Sequence, residues 1–283
     1  MRTHCDCLTC LTRHSGQLLN AWNATEEQRL LALQDVLALL AKVDPRRSPP
    51  DITSDLYDAM AQAAGDPDFD PYRPLKDNAT QFAWQLRCHL DRLPGWNPDS
   101  FEARVRLAIA GNILDFSVYG DLNLDDALAV VRHAFDQPID TDALQQLQRR
   151  IADAHSILYL LDNCGEAVLD GLLIDLLRDK VTLAVRGRPT SNDVTRRELA
   201  ASGLDGLPVV DNGLRLPGVV PSRATPELRR HLESADLIIA KGQGNFECLN
   251  DSHLPCAFLF MAKCPVVCRE INAPTRSLQI RFA

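Results

Sequence analysis

The spacing of apolar residues changes along the chain. Over the first 155 residues, apolar positions recur at intervals of three and four, as at Leu33, Val36 and Leu40. This spacing places them on one face of a helix. Thr25 and Gln28 form a capping-box pattern at the start of one such helix. The pattern predicts helices over 25–42, 52–64, 76–93, 99–117, 123–135 and 141–153.

After residue 155, short apolar runs alternate with helical segments. The runs predict strands at 157–161, 181–185, 207–210, 237–240, 257–260 and 265–268. The helical segments between them are 165–178, 193–202, 225–233 and 245–250. Such alternation is typical of a mainly parallel sheet with helices on both faces. Asp-Asn-Gly at 211–213 predicts a tight turn of the kind that closes hairpins.

These patterns predict the fold class and the domains. We expect an α/β protein, a Rossmann-like α/β/α sandwich with an N-terminal helical part. Residues 1–154 form the helical part in this prediction, and residues 155–283 form the α/β/α core.

Composition narrows the range of partners. The chain has 283 residues, 46% of them hydrophobic, and a net charge of −8. An acidic chain does not suggest a nucleic-acid-binding surface, so small molecules or metal cations are the expected partners. No apolar run approaches the roughly 18 residues of a membrane helix, and the first residues lack the apolar stretch of a signal peptide. We therefore expect no membrane partner and a cytoplasmic location, where the nine cysteines are thiols or metal ligands.

Polar segments follow three of the predicted strands. The segment 162–166 is Asp-Asn-Cys-Gly-Glu, 186–193 contains two arginines and ends in Asn-Asp, and 241–247 is Lys-Gly-Gln-Gly-Asn-Phe-Glu. In an open parallel sheet, ligands bind outside the carboxyl ends of the strands. We therefore expect the three segments to meet in one cleft.

Two kinds of ligand fit these segments. Asp162, Asn163 and Asp193 offer oxygens, which suit a hard divalent cation such as Mg²⁺ or Mn²⁺. Lys241 beside two glycines suits an anion, because it adds a positive charge to unhindered backbone N–H groups. A metal and an anion at one edge suggest phosphate-ester chemistry.

Each segment also has an ordinary structural interpretation. Asp162 and Asn163 are typical of an Asx turn that caps a helix, and Asn192 or Asp193 can cap the next one. The glycines after Lys241 suit a plain turn. The functional interpretation depends on the convergence of all three segments.

The motifs occur together in a characteristic order. They are Cys-Leu-Thr-Cys at 7–10, Ala-Gly-Asn-Ile-Leu-Asp at 110–115, Asp-Asn-Cys-Gly-Glu at 162–166, Arg-Gly-Arg-Pro at 186–189 with Asn-Asp-Val-Thr at 192–195, Lys-Gly-Gln-Gly-Asn-Phe-Glu at 241–247 and Ala-Lys-Cys-Pro-Val at 262–266. In this combination the chain resembles the damage-control phosphatases, first catalogued as domain of unknown function eighty-nine. The resemblance spans nearly the whole chain.

The resemblance implies a metal-dependent phosphatase of small phosphorylated metabolites, such as sugar phosphates or damaged cofactor intermediates. It implies that Asp162, Asn163 and Asp193 hold the metal and that Lys241 contacts the phosphate. The sequence does not choose among Mn, Mg, Co and Ni, because oxygen-ligand sites accept several of these ions.

Further site residues are predicted around this core. The predicted phosphate-binding or substrate-binding residues are Asn112, Asp115, Lys241, Gly242, Gly244 and Asn245, and Asn245 is also compatible with a helix cap. Asn112 and Asp115 share one helical face and could reach the cleft, but they are equally typical of a polar helix end. Asp162 and Glu166 are the candidates to activate the attacking water, and Asp115 is a weaker one.

The residues also allow two alternative functions and one further metal ion. The same cleft would suit a binding protein that sequesters a phosphometabolite without turnover. A Rossmann-like sheet would also suit a methyltransferase that uses S-adenosylmethionine. Cys7 and Cys10 have the spacing of half a structural zinc site, which Cys88 or His89 could complete.

Overall fold

A single sheet organises the protein, whose computed structural model describes residues 1–112 and 124–283. Its strands within those residues are β1 (Ile157–Leu160), β2 (Val181–Val185), β3 (Val209–Asp211), β4 (Leu237–Lys241), β5 (Cys256–Ala262) and β6 (Ser277–Phe282). The spatial order is β3-β2-β1-β4-β5-β6. Strands β1 to β5 are parallel, and β6 pairs antiparallel with β5. The order therefore reverses direction between β1 and β4.

Seven of the described α-helices precede the sheet. They are α1 (Cys5–Ala21), α2 (Glu26–Leu40), α3 (Pro49–Ala64), α4 (Arg73–Arg87), α5 (Phe101–Gly111), α6 (Leu124–Asp136) and α7 (Thr141–Asp153). The strands are followed by α8 (Glu166–Ile174), α9 (Pro226–Ser234), α10 (Gly242–Leu249) and α11 (Pro265–Glu270). The predicted α/β class with an N-terminal helical part is confirmed.

The strands alternate their side chains between two hydrophobic cores. Within β1, Ile157 and Tyr159 belong to the core formed with α4 to α8. Leu158 and Leu160 belong to the core formed with α9, α10 and α11. Successive strand residues point to opposite faces, so a strand buried on both sides is apolar throughout. The result is the predicted α/β/α arrangement.

A third hydrophobic core joins α1, α2 and α3. Asp51 in α3 ties this unit to the rest of the chain, because it accepts a hydrogen bond from Arg223. Arg47, in the connection between α2 and α3, donates to the same carboxylate. Arg223 ends a short 3₁₀ helix, Pro221–Arg223, that precedes α9. The predicted boundary at residue 154 coincides with the end of α7, but the first core contains residues from both sides of it. The division into two domains stays a prediction.

The prediction of a last strand at 265–268 is wrong. These residues lie in α11, where Cys264 is the N-cap and Pro265 occupies the first turn. Proline suits this position, because its fixed φ fits a helix and its missing N–H would be unpaired there anyway. The last strand of the described chain is instead β6, which had not been predicted.

Three other local predictions differ from the structure. Helix α1 was not predicted, although Cys7, Leu11 and Leu18 already follow a helical spacing and are buried in it. The helix predicted over 193–202 is reduced to a 3₁₀ helix at Arg196–Glu198. A third 3₁₀ helix, Leu90–Arg92, follows α4 where one longer helix had been predicted.

The predicted turn at 211–213 is present, but it closes no hairpin in the described structure. Gly213 has a φ of +71°, and its N–H donates to the side chain of Asp211. Strand β3 ends at Asp211, and its described neighbour is the parallel strand β2. Among residues 1–112 and 124–283, no helix combines the length and the apolarity that crossing a membrane requires.

Packing of α5 against the sheet should contribute strongly to stability. Leu107 in α5 is fully buried in the first core, whereas Leu31 in α2 is 56% exposed. We expect Leu107→Ala to lower the free energy of unfolding by about 2–5 kcal/mol, because it leaves a cavity. Leu31→Ala, the control with the same change in helix propensity, should cost below about 0.5 kcal/mol. Urea denaturation of both variants tests this, and equal losses would contradict the packing described.

Candidate active site

The site lies where the strand order reverses. Asp162 and Asn163 follow β1, and Lys241 ends β4, the neighbouring strand. In α/β sheets such a reversal opens a crevice at the carboxyl edge, because the connections leave in opposite directions. The convergence expected for these segments is therefore present in the fold.

Asp162, Asn163 and Asp193 come together around Arg186. Asn163 and Asp193 form an isolated antiparallel bridge between the two loops. Arg186 is buried, and its Nε donates to Asp193 at 2.6 Å while another guanidinium nitrogen donates to Asp162 at 3.2 Å. One guanidinium group thus holds both carboxylates in place.

Asn112 connects the helical part to this group. It caps the end of α5, and its side-chain nitrogen donates to Asp162 at 2.9 Å and to Glu166 at 2.8 Å. Lys263, after β5, donates to the backbone oxygen of Asn112. Asn112 therefore lies against Asp162 and Glu166, and its predicted contact with substrate stays a prediction. Asp115 lies outside the described residues.

Lys241 is enclosed behind the cleft. Its ammonium group donates to the backbone oxygen of Ala108 at 2.8 Å, to Asp170 at 2.8 Å and to Glu166. Three acceptors use all three ammonium hydrogens. Lys241, Glu166 and Asp170 are each at most 1% exposed. In this arrangement Lys241 supports Glu166, and its predicted contact with phosphate stays a prediction.

The buried charges of the site do not balance. Four buried carboxylates, Asp162, Glu166, Asp170 and Asp193, surround two buried cations, Arg186 and Lys241. A further buried cation that acts on Asp193, Lys76, is paired with Asp70 and adds no net charge. Buried like charges without enough counter-charge are costly, and protonation is one way to relieve them. A divalent cation is another, since it would supply the two missing positive charges.

The pKa values of three of these carboxyl groups are raised, as the excess of buried negative charge requires. Burial, and then repulsion from Asp193 and Glu166, raises the pKa of Asp162 well above its usual value. Burial also raises the pKa of Asp193, with Arg186 opposing the shift. Burial raises the pKa of Asp170 to about 7 against the attraction of Lys241. All three groups would release a proton more readily with an added positive charge nearby.

Two predicted glycines allow the chain to approach itself closely. Gly242 has a φ of +75°, and a Cβ there would lie 1.9 Å from the Oδ2 atom of Asp162. A Cβ at Gly244 would lie 2.2 Å from the backbone oxygen of Pro217. These residues form the first turn of α10 rather than a loop. The unpaired N–H groups of a first helical turn favour an anion.

Asn245 joins the ends of the two central strands. It is fully buried in α10, and its amide nitrogen donates to the backbone oxygen of Lys241 at 2.8 Å and to that of Leu161 at 3.4 Å. The N-cap of α10 is Lys241, so Asn245 does not cap the helix. A direct contact with substrate stays a prediction.

Asp162, Asn163 and Asp193 line a cleft of about 770 Å³. Its opposite wall comes from α1, including Cys10 and His14. The Nε2 atom of His14 lies 3.3 Å from the Tyr57 hydroxyl. Because helix α1 was not predicted, this wall was not predicted either.

Glu247 also lines the cleft and was not singled out. It stands in the motif at 241–247, so its position was visible in the sequence. Glu247 lies three residues after Gly244, and helix residues three apart share a face. The spacing therefore indicated that Glu247 lies on the same side of the helix as Gly244. Ser191, with a φ of +44°, is a further cleft residue that the sequence did not indicate.

The cysteine half-site has no described completion. Cys7 is buried and Cys10 exposed on α1, and Cys88 is the exposed C-cap of α4. Within 1–112 and 124–283, no three His, Cys, Asp or Glu side chains are grouped as metal ligands. Zinc at Cys7 and Cys10 stays a prediction.

Comparison with known proteins shows the family. The model of the damage-control phosphatase ARMT1-like domain matches residues 3–278. The chain belongs to the damage-control phosphatase ARMT1-like family.

Relatives agree with this assignment over most of the chain. A damage-control phosphatase of Pyrococcus horikoshii is 32% identical over 98% of this chain and 97% of its own. One from Archaeoglobus fulgidus is 32% identical over 72% of each chain. The crystal structure of a DUF89 family protein from Pyrococcus horikoshii superposes with a TM-score of 0.89, at 30% identity, over 100% of this chain and 99% of that chain.

In this member of the damage-control phosphatase ARMT1-like family, Lys241 should be a structural cation. Lys241→Met would leave Glu166 and Asp170 buried without their ion pair, so we expect a loss of about 3–5 kcal/mol in unfolding free energy at neutral pH. Lys180→Met is the control, because Lys180 donates to two backbone oxygens and leaves no carboxylate unpaired. Denaturation without added metal is the measurement. A loss for Lys241→Met no larger than that of the control would contradict the buried ion pairs.

Gly242 should be required for the position of Asp162. Gly242→Ala adds a Cβ against the carboxylate, whereas Gly206 has a similar φ of +79° with nothing within 4 Å of its added Cβ. Both alanine variants incur backbone strain of about 1–3 kcal/mol. We expect Gly242→Ala to cost more than Gly206→Ala and also to weaken divalent-ion binding, measured by calorimetry. Equal stability and unchanged ion affinity would show that Asp162 is not held there.

Proposed function

We propose that the protein is a divalent-metal-dependent phosphatase of small phosphorylated metabolites. The observation that carries the proposal is the buried excess of negative charge around Asp162 and Asp193 at the floor of a cleft. The anion-favouring first turn of α10 begins beside it, because Gly242 lies against Asp162. Family membership and the phosphatase names of the relatives support the same proposal.

The donor set fits a hard divalent cation. Asp162, Asn163 and Asp193 would hold it through oxygen atoms, which Mg²⁺ and Mn²⁺ prefer. The amide nitrogen of Asn163 donates to Asp162 and Glu166, so its oxygen is turned away from these carboxylates. When bound, the cation would offset the charge of the phosphate group.

The chain's own residues would position the reactants. Backbone N–H groups of the first turn of α10 would bind phosphate oxygens. Arg186 fixes the two carboxylates and Asn112 fixes Asp162, so neither needs to reorganise during the reaction. Of the two stronger candidates to orient the attacking water, Asp162 lines the cleft and Glu166 does not. Both are held by hydrogen bonds, Asp162 from Arg186, Asn112 and Asn163 and Glu166 from Lys241, Asn112 and Asn163.

The proposal predicts metal-dependent phosphate release that depends on Asp193. The assay uses metal-stripped protein, re-supplied with Mg²⁺, Mn²⁺, Co²⁺ or Ni²⁺, an aryl phosphate and a panel of sugar phosphates. Asp193→Asn should lower turnover at least about 100-fold, because it removes an anionic ligand worth several kcal/mol. It should also lose the thermal stabilisation that the ion confers on the parent protein.

Asp211→Asn is the matched control. Asp211 lies at the same sheet edge, but its carboxylate pairs with Arg196 and Gly213, outside the cleft lining. We expect the control to keep metal-dependent turnover. Phosphate release by Asp193→Asn at the parent rate would refute the metal-site assignment. No release by the parent protein with any ion would instead favour a phosphometabolite-binding protein.

A further inference from the structure

Glu247 is a cleft residue that the mechanism above leaves unused. It lies one turn after Gly244 in α10, on the helix face that lines the cleft with Asn163 and Asp193. Only 8% of the residue is exposed. A carboxyl group that is so buried and still reaches the cleft is well placed to meet a bound ester.

Gln243 determines which oxygen of Glu247 faces outward. The side-chain oxygen of Gln243 accepts two backbone N–H groups, from Lys263 at 3.2 Å and from Cys264 at 3.1 Å. Its amide nitrogen must therefore point the other way, and it donates to the Oε1 atom of Glu247 at 2.8 Å. The direction of this hydrogen bond follows from its neighbours.

The second oxygen is left for the cleft. Glu247 Oε2 makes no hydrogen bond with any other residue of 1–112 and 124–283. In the neutral acid, Oε1 acts as the carbonyl oxygen that accepts from Gln243, so the proton resides on Oε2. Glu247 would then present one O–H donor to a ligand, in a fixed orientation.

Burial favours the protonated form of Glu247 near neutral pH. Burial raises the pKa of Glu247 to about 7, although the hydrogen bond from Gln243 and the Met1 amino group oppose the shift. The charged and titratable groups that share its cleft, or the elements packed on α10, are Met1, Cys7, Cys10, Arg13, His14, Asp51, Asp162, Asp193, Cys248, Lys263 and Cys264. A pKa near the working pH suits a group that gives up a proton and regains it.

We propose that Glu247 is the general acid of the reaction and protonates the leaving alcohol. This inference rests on the proposed phosphatase function. Water bonds to phosphorus as the ester P–O bond breaks, and the bond's electron pair goes to the ester oxygen. That oxygen takes the proton from Glu247 Oε2, and the proton released by the attacking water restores the acid through solvent. The net reaction converts a phosphate monoester and water into an alcohol and phosphate.

The dependence on leaving group tests the proposal. An alkoxide needs a proton to leave, whereas a nitrophenolate is stable without one. Glu247→Gln keeps the shape and the bond from Gln243 but removes the acid. We expect it to reduce turnover of an alkyl phosphate about 100-fold. Turnover of nitrophenyl phosphate should fall by no more than about tenfold. The decline of parent alkyl-phosphate turnover above about pH 7 should disappear in the variant.

Glu270 is exposed, and Glu270→Gln serves as the matched control. It should leave the turnover of both substrates unchanged. Equal losses of Glu247→Gln on both esters, or none on the alkyl ester, would overturn the acid role while the phosphatase function stands. A parent protein that hydrolyses neither ester would overturn both.

A stability measurement tests the buried acid without metal or substrate. Because the folded-state pKa is raised from 4.5 to about 7, the parent protein loses stability as pH rises across that interval, and the loss is complete above it. Glutamine does not titrate. The melting temperature of Glu247→Gln relative to the parent should therefore rise between pH 5 and pH 8. A difference independent of pH would overturn the proposal.

Discussion

The unbalanced buried charge at the ends of β1 and β4 is the constraint on which the rest of the site depends. Arg186 and Lys241 do not compensate the carboxylates packed around them, so this region departs from the rule that buried charges are paired. Such an arrangement persists only where packing elsewhere supports it and where protonation or an added cation can relieve it. Both conditions are met, because two apolar cores enclose the sheet and the cluster opens on one side into a cleft.

The residues at the ends of the two central strands, β1 and β4, have an enclosed side and a side that is open to the cleft. On the enclosed side, Lys241 and Asn112 hold Glu166 and Asp162 from behind. On the open side, Asp162 and Asp193 meet the cleft. Gly242 separates the two sides, since the absence of a side chain lets α10 start against the Asp162 carboxylate. A residue can therefore belong to a functional motif and act mainly by positioning its neighbour.

The N-terminal helices complete the site instead of merely covering it. Helix α1 supplies the wall opposite the carboxylates, and Asp51 anchors the helical unit through Arg223. A metabolite bound in the cleft would lie between the carboxylates of the sheet edge and the side chains of α1. Glu247 lies on α10 within this cleft, with its acidic oxygen directed by Gln243.

The sequence by itself determined the class of fold, and it indicated the three polar segments that the sheet brings together. Apolar runs bounded by polar segments identify β1, β2 and β4, because strands buried on both faces carry little else. It failed at 265–268, where apolar content did not distinguish a short helix from a strand, and at α1. Only the tertiary structure decided that Lys241 is enclosed while Asp162 is open, and that Gln243 directs Glu247. These outcomes depend on strand order and on contacts between distant segments, such as Ala108 with Lys241 and Lys263 with Gln243, which local spacing does not encode.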